Sequence, residues 1–531
     1  MRPSWFQHHR REHHAKNSGK YRVPVGGAAL RTGAAVPGGK PVSPPSPGIG
    51  SRMWRAGGNV LGRILAFCLV ASSGGCLLTS DIPDPALDVP PVYKSGSRAD
   101  LDAPPQLDWW RGFGSAELTD LMEEAQRVNL DIAAAVARFK QADALARQAG
   151  AALLPSLQGT GQQTYSRTSG SSSSGLTNGG REVVNYSASL SASYQLDFWG
   201  QNRDALQAAE ETAIANRFDR DVTAVTTLTA VATAYFQVLA SQDRLRTAAR
   251  NIASAQGVLD AIRERRKAGT GTDLDVAQQE SVLANQKALV PPLRQTLDQN
   301  VNALAVLVSR PPESLRITGG SLDQIATPRV TPGLPSELLT QRPDIRRQES
   351  QLASATANIG SARAQFFPSI QLTGNGGYQS SALVSLFQPH AAFFQLVGSA
   401  TQPIFDGGKI LGNFEFSQAK QEELLQTYRK TVMQSFSDVD TALYAIKQTT
   451  IKLALQREVV RSSRRAFQLA QQQLRAGTAD IVTVLNTQTT LFQAEDALWQ
   501  AELARLLAFI SLYQALGGGW EPRMEKPVDA L

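Results

Sequence analysis

The sequence has few of the residues used for metal and redox chemistry. Two cysteines, Cys68 and Cys76, and five histidines serve 531 residues. Four of the histidines (His8, His9, His13 and His14) sit near the N-terminus, which leaves His390 alone downstream. No His/Cys zinc cluster, Cys–His pair or disulfide framework can be assembled from that supply. Carboxylates could still hold a metal or move protons, so an enzyme is disfavoured rather than excluded. The Ser-rich stretches carry no nucleophile elbow and no adjacent base. His390 is expected to be a surface residue without a ligand.

An excess of one charge sign is also missing from most of the chain. The net +7 comes from 53 Lys and Arg against 46 Asp and Glu. Residues 1–52 hold nine basic residues and one acid, Glu12, so this segment is +8 and residues 53–531 carry −1. Nucleic-acid binding therefore has no electrostatic footprint in the body of the protein. With 42% apolar and 19% charged residues, the chain can bury a large core. Its length suggests three or four ordinary domains at about 150 residues each.

Residues 53–76 read as an export signal. A basic start (Met53-Trp54-Arg55, then Arg63) precedes the apolar run Ile64–Ala71, and Ser72-Ser73-Gly74-Gly75 precedes Cys76. That run is far below the ~20 residues needed to span a bilayer as a helix. Residues 1–52 lack periodicity and read as a mis-annotated start upstream of Met53, or as a disordered leader. Cys76 after two glycines resembles a bacterial lipobox, although Ser73 stands where leucine is usual. An ordinary cleaved signal with an incidental cysteine is the alternative. Leu77 follows where an inner-membrane retention signal would place Asp, which favours the outer membrane. Acyl chains on Cys76 would anchor the protein at about 0.8 kcal/mol per buried CH₂.

The remainder is one unit written twice. Asn129–Gln158 aligns with Arg342–Gln371 at an offset of 213, Phe198-x-Gly200 with Phe405-x-Gly407 at 207, and Ala268-Gly269-Thr270 with Ala476-Gly477-Thr478 at 208. The offset changes across Ser169–Gly180, a loop composition. Each copy has a helix, two strands around a loop and two long helices. The strands are expected at about 156–167, 183–198, 369–379 and 393–405. In the second of them, Tyr186, Ala188, Leu190, Ala192, Tyr194, Leu196 and Phe198 alternate with Ser187, Ser189, Ser191, Ser193, Gln195 and Asp197. Apolar-out, polar-in alternation with aromatic ends is the signature of a transmembrane β-barrel. A half-buried strand in a soluble sandwich is the alternative. Four strands cannot enclose a solute path, since about eight is the practical minimum. The chain must then pool strands with copies of itself, and a trimer supplies twelve.

Apolar residues recur every seven positions at Val231, Val238, Leu245, Ile252 and Leu259, and again at Val439, Ile446, Leu453, Val460, Phe467 and Leu474. Sustained heptads imply a coiled-coil seam. A helix over 206–267 would be ~90 Å long. Each long helix should stop at Ala-Gly-Thr, where glycine can turn left-handed. Return helices are expected at Leu274–Leu289 and Ile481–Leu516. Pro291-Pro292 should break or kink the first return path, while the second has no such break.

Several motifs resemble the TolC-like outer-membrane efflux protein family, in particular its lipoprotein branch associated with resistance-nodulation-division pumps. They are Asp108-Trp109-Trp110-x-x-Phe113, Asn129-Leu130-Asp131-Ile132, Leu196-Asp197-Phe198-Trp199-Gly200, the string from Gly333 to Ile345 containing Arg342-Pro343-Asp344-Ile345, and Pro403-Ile404-Phe405-Asp406-Gly407-Gly408. The resemblance covers about residues 76–520. It implies an α+β membrane protein: a homotrimer whose 12-stranded outer-membrane barrel, four strands per chain, continues into a periplasmic coiled-coil α-barrel girdled by an equatorial domain. It implies a periplasmic adaptor protein and an inner-membrane resistance-nodulation-division transporter as partners, outer-membrane lipid as surroundings, and no cofactor beyond lipid on Cys76. Function would be a passive exit duct in a Gram-negative outer membrane, with energy supplied elsewhere. The alternatives are the duct of a type I protein-secretion system, or a non-conducting coiled-coil lipoprotein.

The expected organisation is an extension (1–52), signal (53–75), lipidated linker and equatorial segment (76–116), first repeat (117–310), linker (311–335), second repeat (336–516) and tail (517–531). The resemblance puts the periplasmic tip at Lys267–Val276 and Arg475–Asn486, turning at Gly269 and Gly477. Thr483 and Asn486 occupy positions that are acidic in some relatives. Asp275 matches a family acid, with Asp273 beside it and Asp480 on the other hairpin. These acids either gate the tip with Arg475 or Arg265/Arg266, or simply cap helix N-termini. Arg461, Arg464 and Arg465 read as a solvated or adaptor-facing patch.

Overall fold

A computed structural model of the chain describes residues 81–95, 108–167, 182–328, 332–518 and 520. The extension, the signal segment and Cys76 lie outside the described residues, as does most of the tail. In chain order the elements are α1 (Ala116–Val128), α2 (Leu130–Gly150), β1 (Ser156–Arg167), β2 (Glu182–Leu196), α3 (Gln201–Lys267), α4 (Asp273–Ala288), α5 (Val290–Leu307), α6 (Pro335–Gln341), α7 (Pro343–Ala364), β3 (Ser369–Ser380), β4 (Ala392–Thr401), α8 (Lys409–Arg475) and α9 (Ile481–Ala515). Helix dominates, with one four-stranded sheet. Helix–strand–strand–long helix occurs twice in that order.

The sheet is an antiparallel meander, β1-β2-β3-β4. Its register pairs Gly159 with Leu190, Leu190 with Gly376, Gly374 with Leu396, and Leu372 with Gly398. These residues share the face of Tyr186, Tyr194, Tyr378 and Phe394, because side chains alternate along each strand. A leucine leans over a glycine on a neighbouring strand: a Cβ at Gly374 would meet Leu396 Cδ2 at 3.2 Å, and one at Gly398 would meet Leu372 Cδ2 at 3.5 Å. The small residues make room for large ones and level the apolar face. Gly377 is more constrained, since a Cβ there would fall 2.2 Å from the Ala188 carbonyl oxygen.

The strands end earlier than the alternation suggests. β2 stops at Leu196 and β4 at Thr401, not at Phe198 and Phe405. The reason is capping. Asp197 accepts hydrogen bonds from the backbone N–H groups of Asn202 (3.1 Å) and Arg203 (2.9 Å). Asp406 does the same for Gly408 (2.9 Å) and Ile410 (2.8 Å). Gly200 and Gly408 then turn at φ +83° and +87° into helices of 67 residues each. This pairs Gly200 with Gly408 rather than Gly407, one residue away from the alignment by sequence. The two junctions also touch: Trp199 stacks on Phe367 with ring centroids 4.8 Å apart, and its indole N–H donates to the Pro368 carbonyl at 2.8 Å.

At 1.5 Å per residue α3 and α8 are each about 100 Å long. Near the sheet, α2, α3, α7 and α8 lie side by side. The centre of α3 is apolar enough and long enough for a membrane span. It is instead core, where Val231, Phe236 and Leu239 are fully buried against Trp109, Trp110, Phe113 and Tyr513. Phe113 packs edge-on to Phe236 at 5.1 Å, and Trp109 stacks on Tyr513 at 4.6 Å. The segment expected as a linker, 311–335, contributes Leu315 and Leu322 to this core. It is pinned by Glu117, which accepts from Thr318 (2.8 Å), and by buried Asp243, which accepts from the Leu322 N–H (2.9 Å).

A second core joins Tyr93, Leu338, Ile345, Val432 and Val439. Arg342 ties it together. Its guanidinium grips Asp344 in a bidentate pair (2.9 and 2.6 Å) and also reaches Asp438 (3.2 Å) and the Ala515 carbonyl (3.1 Å). A planar fork suits three elements better than a lysine would. The heptad positions of α3 and α8 are buried or half-buried throughout.

The return helices differ as the prolines require. After Ala288, Leu289 keeps right-handed helical angles (φ −74°, ψ −20°), and α5 begins with Pro291-Pro292 in its first turn. The path thus loses hydrogen bonds without turning away. α9 runs unbroken for 35 residues.

Gly377→Ala is expected to wedge β2 from β3 and to destabilise the folded protein by about 1–3 kcal/mol. A lowered thermal midpoint of the purified protein is the readout.

Candidate functional site

Two regions can act on a solute, the polar face of the sheet and the far ends of the long helices. On the sheet, the register places Ser156, Thr160, Ser189, Ser193, Gln371 and Ser399 on one face with their alternate neighbours. That face carries hydroxyls and amides and no Asp, Glu, Lys or Arg. The groups bond among themselves: Gln371 donates to the Ser193 hydroxyl at 2.8 Å, and the Ser399 hydroxyl donates to the Gln371 carbonyl at 3.4 Å. β1 and β4 each present an outer edge with no partner strand among the described residues.

At the other end, α3 and α8 stop by the same device. Gly269 and Gly477 adopt φ +74° and +73°. The next residue closes the turn, Thr270 N–H to the Arg265 carbonyl and Thr478 N–H to the Gln473 carbonyl, both at 2.9 Å. This is the Schellman arrangement, which satisfies carbonyls that a helix end leaves free.

The acids near these turns serve the helices that follow. Asp275 and Thr272 form a reciprocal capping box, each side chain accepting the other's backbone N–H (2.9 and 3.2 Å). Asp480 caps α9, accepting from the Thr483 N–H at 2.9 Å and the Thr483 hydroxyl at 2.5 Å. Asp273 pairs with Arg266 of its own hairpin at 2.8 Å, with 85% of its side chain exposed. Thr483 is thus drawn to Asp480, while Asn486 is exposed one turn further along α9. Asp273, Asp275 and Asp480 are each engaged within their own hairpin.

The groups that join the hairpins are different ones. Arg265 donates from Nη1 to the Leu474 carbonyl at 2.8 Å. Deeper in, Gln279 donates from Nε2 to Gln488 Oε1 (3.1 Å) and to the Ala255 carbonyl (2.8 Å). Both glutamines are fully buried, and Gln279 Oε1 and Gln488 Nε2 have no hydrogen-bond partner. They sit within the tip core of Val258, Leu259, Ile262, Phe467, Val484 and Leu491. A groove of about 800 Å³ runs between the hairpins beside Gly257, Val258, Arg265, Leu474 and Gly477. Sequence reasoning missed the glutamines. Their signal was present: Gln279 falls between Val276 and Leu283, and Gln488 between Val484 and Leu491, polar residues at seam positions.

The remaining candidates recruit no partners that suggest chemistry. His390 lies in a short 3₁₀ turn of the β3–β4 connection and is exposed. Arg461 pairs with Glu458, and Arg464 donates to Glu495 at 2.6 Å. Among the described residues no three His, Cys, Asp or Glu side chains gather as metal ligands would.

Comparison with known proteins gives a consistent result. A family model described as outer membrane efflux protein matches residues 121–310 and 334–518. A pyoverdine export outer membrane protein of Pseudomonas aeruginosa, OpmQ, is 38% identical over 461 residues, 86% of this chain and 96% of that protein. A probable efflux pump outer membrane protein of Pseudomonas putida, TtgC, is 30% identical over 84% of this chain and 93% of its own length. Among solved structures, the outer-membrane channel OprN superposes with a TM-score of 0.78 at 25% identity, covering 84% of this chain and all of that one.

Two outcomes follow from the tip geometry. Hydrogen bonds from the Thr483 side chain and backbone hold the Asp480 carboxyl below the ordinary aspartate range. A depressed folded pKa gives stability that is present above the unfolded pKa and lost as pH falls through the folded one. The start of α9 should therefore be indifferent to pH near neutrality and loosen only below roughly pH 4, as read by the mobility of a spin label at Ala476→Cys. Asp480→Asn keeps the cap and should abolish the acid dependence. In the seam, Gln279→Leu alone strands Gln488 and should cost about 1–3 kcal/mol, whereas Gln279→Leu with Gln488→Leu should recover most of that loss. A double-mutant cycle on thermal midpoints measures the coupling.

Proposed function

We infer function from one premise: the chain belongs to the outer membrane efflux protein family. It is an outer-membrane channel component of an efflux system in a Gram-negative bacterium, and its work is transport, not catalysis.

The finer reading is a homotrimer in which three four-stranded sheets close one barrel. The observation that carries it is the sheet itself: apolar on one face, hydroxyl- and amide-lined on the other, and, among the described residues, unpaired at both edges. Free backbone groups on β1 and β4 would cost several kcal/mol each in hydrocarbon. Pairing β4 of one copy with β1 of the next removes both edges and encloses the polar face. The helices then continue the duct through the periplasm as an α-barrel, with the Trp109–Phe113 core as part of the equatorial girdle. Cys76 carries the lipid anchor, and residues 53–75 are removed.

The partners are a periplasmic adaptor and a resistance-nodulation-division transporter, which supplies the energy. The tip, Lys267–Val276 with Arg475–Asn486, is the gate. Its inter-hairpin restraints within one chain include Arg265 on the Leu474 carbonyl and Gln279 on Gln488, while Asp275 and Asp480 serve it as caps and Asp273 as the partner of Arg266. Passage is passive, and a lining without fixed charge in the barrel selects by width and hydrogen bonding. The cargo is a polar small molecule of the siderophore kind. Two observations support this: the 38% identity with a pyoverdine export protein and the uncharged hydrogen-bonding lining.

The test is conductance of the purified protein in planar bilayers, with native mass spectrometry on the same sample. A trimer with small, discrete conductance that rises in Arg265→Ala is the expected outcome. A non-conducting monomer overturns the barrel. A conducting trimer indifferent to Arg265→Ala overturns the gate alone.

A further inference from the structure

We propose that the β3–β4 connection, residues 381–391, is seated in the lipid of the outer leaflet, on the outside of the barrel and away from the mouth of the duct. This rests on the reading of the apolar sheet face as lipid-facing. The connection joins the strand ends farthest from the helices. Its sequence, Ser-Ala-Leu-Val-Ser-Leu-Phe-Gln-Pro-His-Ala, has no Asp, Glu, Lys or Arg. A loop in water would ordinarily be polar. The matching connection between β1 and β2 has that ordinary composition, rich in Ser, Gly and Thr.

Two contacts give the direction of the fold-back. The Ser380 and Ser385 hydroxyls are hydrogen-bonded at 2.7 Å, and the Phe387 ring meets the Tyr378 ring edge-on at 5.5 Å. Tyr378 pairs with Ala188 and Ala392, and Ser380 with Tyr186, so both belong to the apolar face. The connection therefore leans to that side and continues it. Leu386 is buried and pins the fold-back, while Val384 (90%), Phe387 (71%) and Leu383 (63%) stand exposed beside Phe394 (85%). Left in water, such side chains forfeit about 25 cal/mol for each Å² of apolar surface.

Five of the ten backbone N–H groups of the connection are also satisfied without water. The N–H groups of Ser385, Leu386, Gln388 and Ala391 bond to carbonyls within the connection at 2.9–3.3 Å, and that of Ala382 bonds to the Ser380 hydroxyl at 3.3 Å. The others require the water of the headgroup region, so the connection belongs at the edge of the bilayer and not in the middle of its hydrocarbon. Aromatic residues at the barrel rim suit the same depth.

The test uses Val384→Cys in a background lacking Cys68 and Cys76, labelled with an environment-sensitive fluorophore. The protein is reconstituted into phosphatidylcholine vesicles with or without nitroxide-bearing acyl chains. The expected result is a blue-shifted emission that nitroxide lipid quenches and aqueous iodide does not. Val384→Ser with Phe387→Ser should leave single-channel conductance unchanged. Phe394→Cys, on the strand itself, is the control. If the Phe394 label is quenched by lipid and the Val384 label is not, the connection is outside the lipid and the proposal fails while the barrel stands. Covering by a neighbouring copy would give that same result, with the Val384 label protected from both quenchers. If neither label meets lipid, the barrel reading fails. A conductance that rises in the serine variant would mean that the connection narrows the mouth, which also overturns the proposal.

Discussion

Backbone hydrogen bonds at the two outer edges of the sheet set the terms for the rest of the molecule. Among the described residues, β1 and β4 have regular ladders on one side and none on the other. In water such edges invite aggregation, and in lipid they are untenable. The sheet is also two-faced, and among the described residues neither face is buried against the chain's own helices. The strand faces remain largely exposed in the single chain, from Leu157 on β1 to Leu396 on β4. In the proposed trimer, closure by further copies would satisfy edges and faces together, and it would give the leucine–glycine interlocking its purpose. A level apolar surface and strands that can approach closely, as at Gly377, suit a closed wall.

The helices solve a different problem, which is carrying order over about 100 Å without a globular core. Three separate clusters do this work: one around Trp109, Phe113 and Phe236, one around Ile345, Val432 and Val439, and one at the tip around Leu259, Phe467 and Leu491. Each is local, and the heptad seam, buried or half-buried throughout, links them along the long helices. Charged residues also bridge elements beside the first cluster. Glu502, 2% exposed, accepts from Arg457 at 3.1 Å and Arg505 at 2.6 Å. Burial pushes its carboxyl pKa up, and the two arginines oppose that rise. Arrangements of this kind specify one geometry more than they add stability.

The tip combines firm turns with a loose seam. Its turns are fully capped, and its acids are used within their own hairpins. The seam is polar where it could have been apolar: Gln279 and Gln488 each leave one hydrogen-bonding atom unsatisfied in a dry core. A leucine pair would pack with less penalty. Polar seam residues set register at a cost in stability. If the tip is the gate proposed above, hairpins that separate there are better served by such a seam than by a sealed one.

Much of this was legible beforehand because it depends on short-range rules. Alternation of Tyr186 to Leu196 with Ser187 to Gln195 placed a two-faced strand, heptads placed the long helices, and Ala-Gly-Thr placed their ends. Those signals arise from the periods of strand and helix and from the left-handed tolerance of glycine, which no tertiary contact needs to supply. Other features were decided by packing. β2 and β4 stopped short because Asp197 and Asp406 turned to cap the long helices. Residues 318–322 of the expected linker were not free, since Glu117 and Asp243 hold them against the core. Asp275 and Asp480 lay beside the tip in any reading, but the hydrogen bonds that occupy them, and the Arg265 and Gln279 contacts across the hairpins, join groups some 209 residues apart. Local periodicity reports what a segment can form. It carries no information about which distant segment completes a polar group's hydrogen bonds, and that choice was made when the two hairpins packed together.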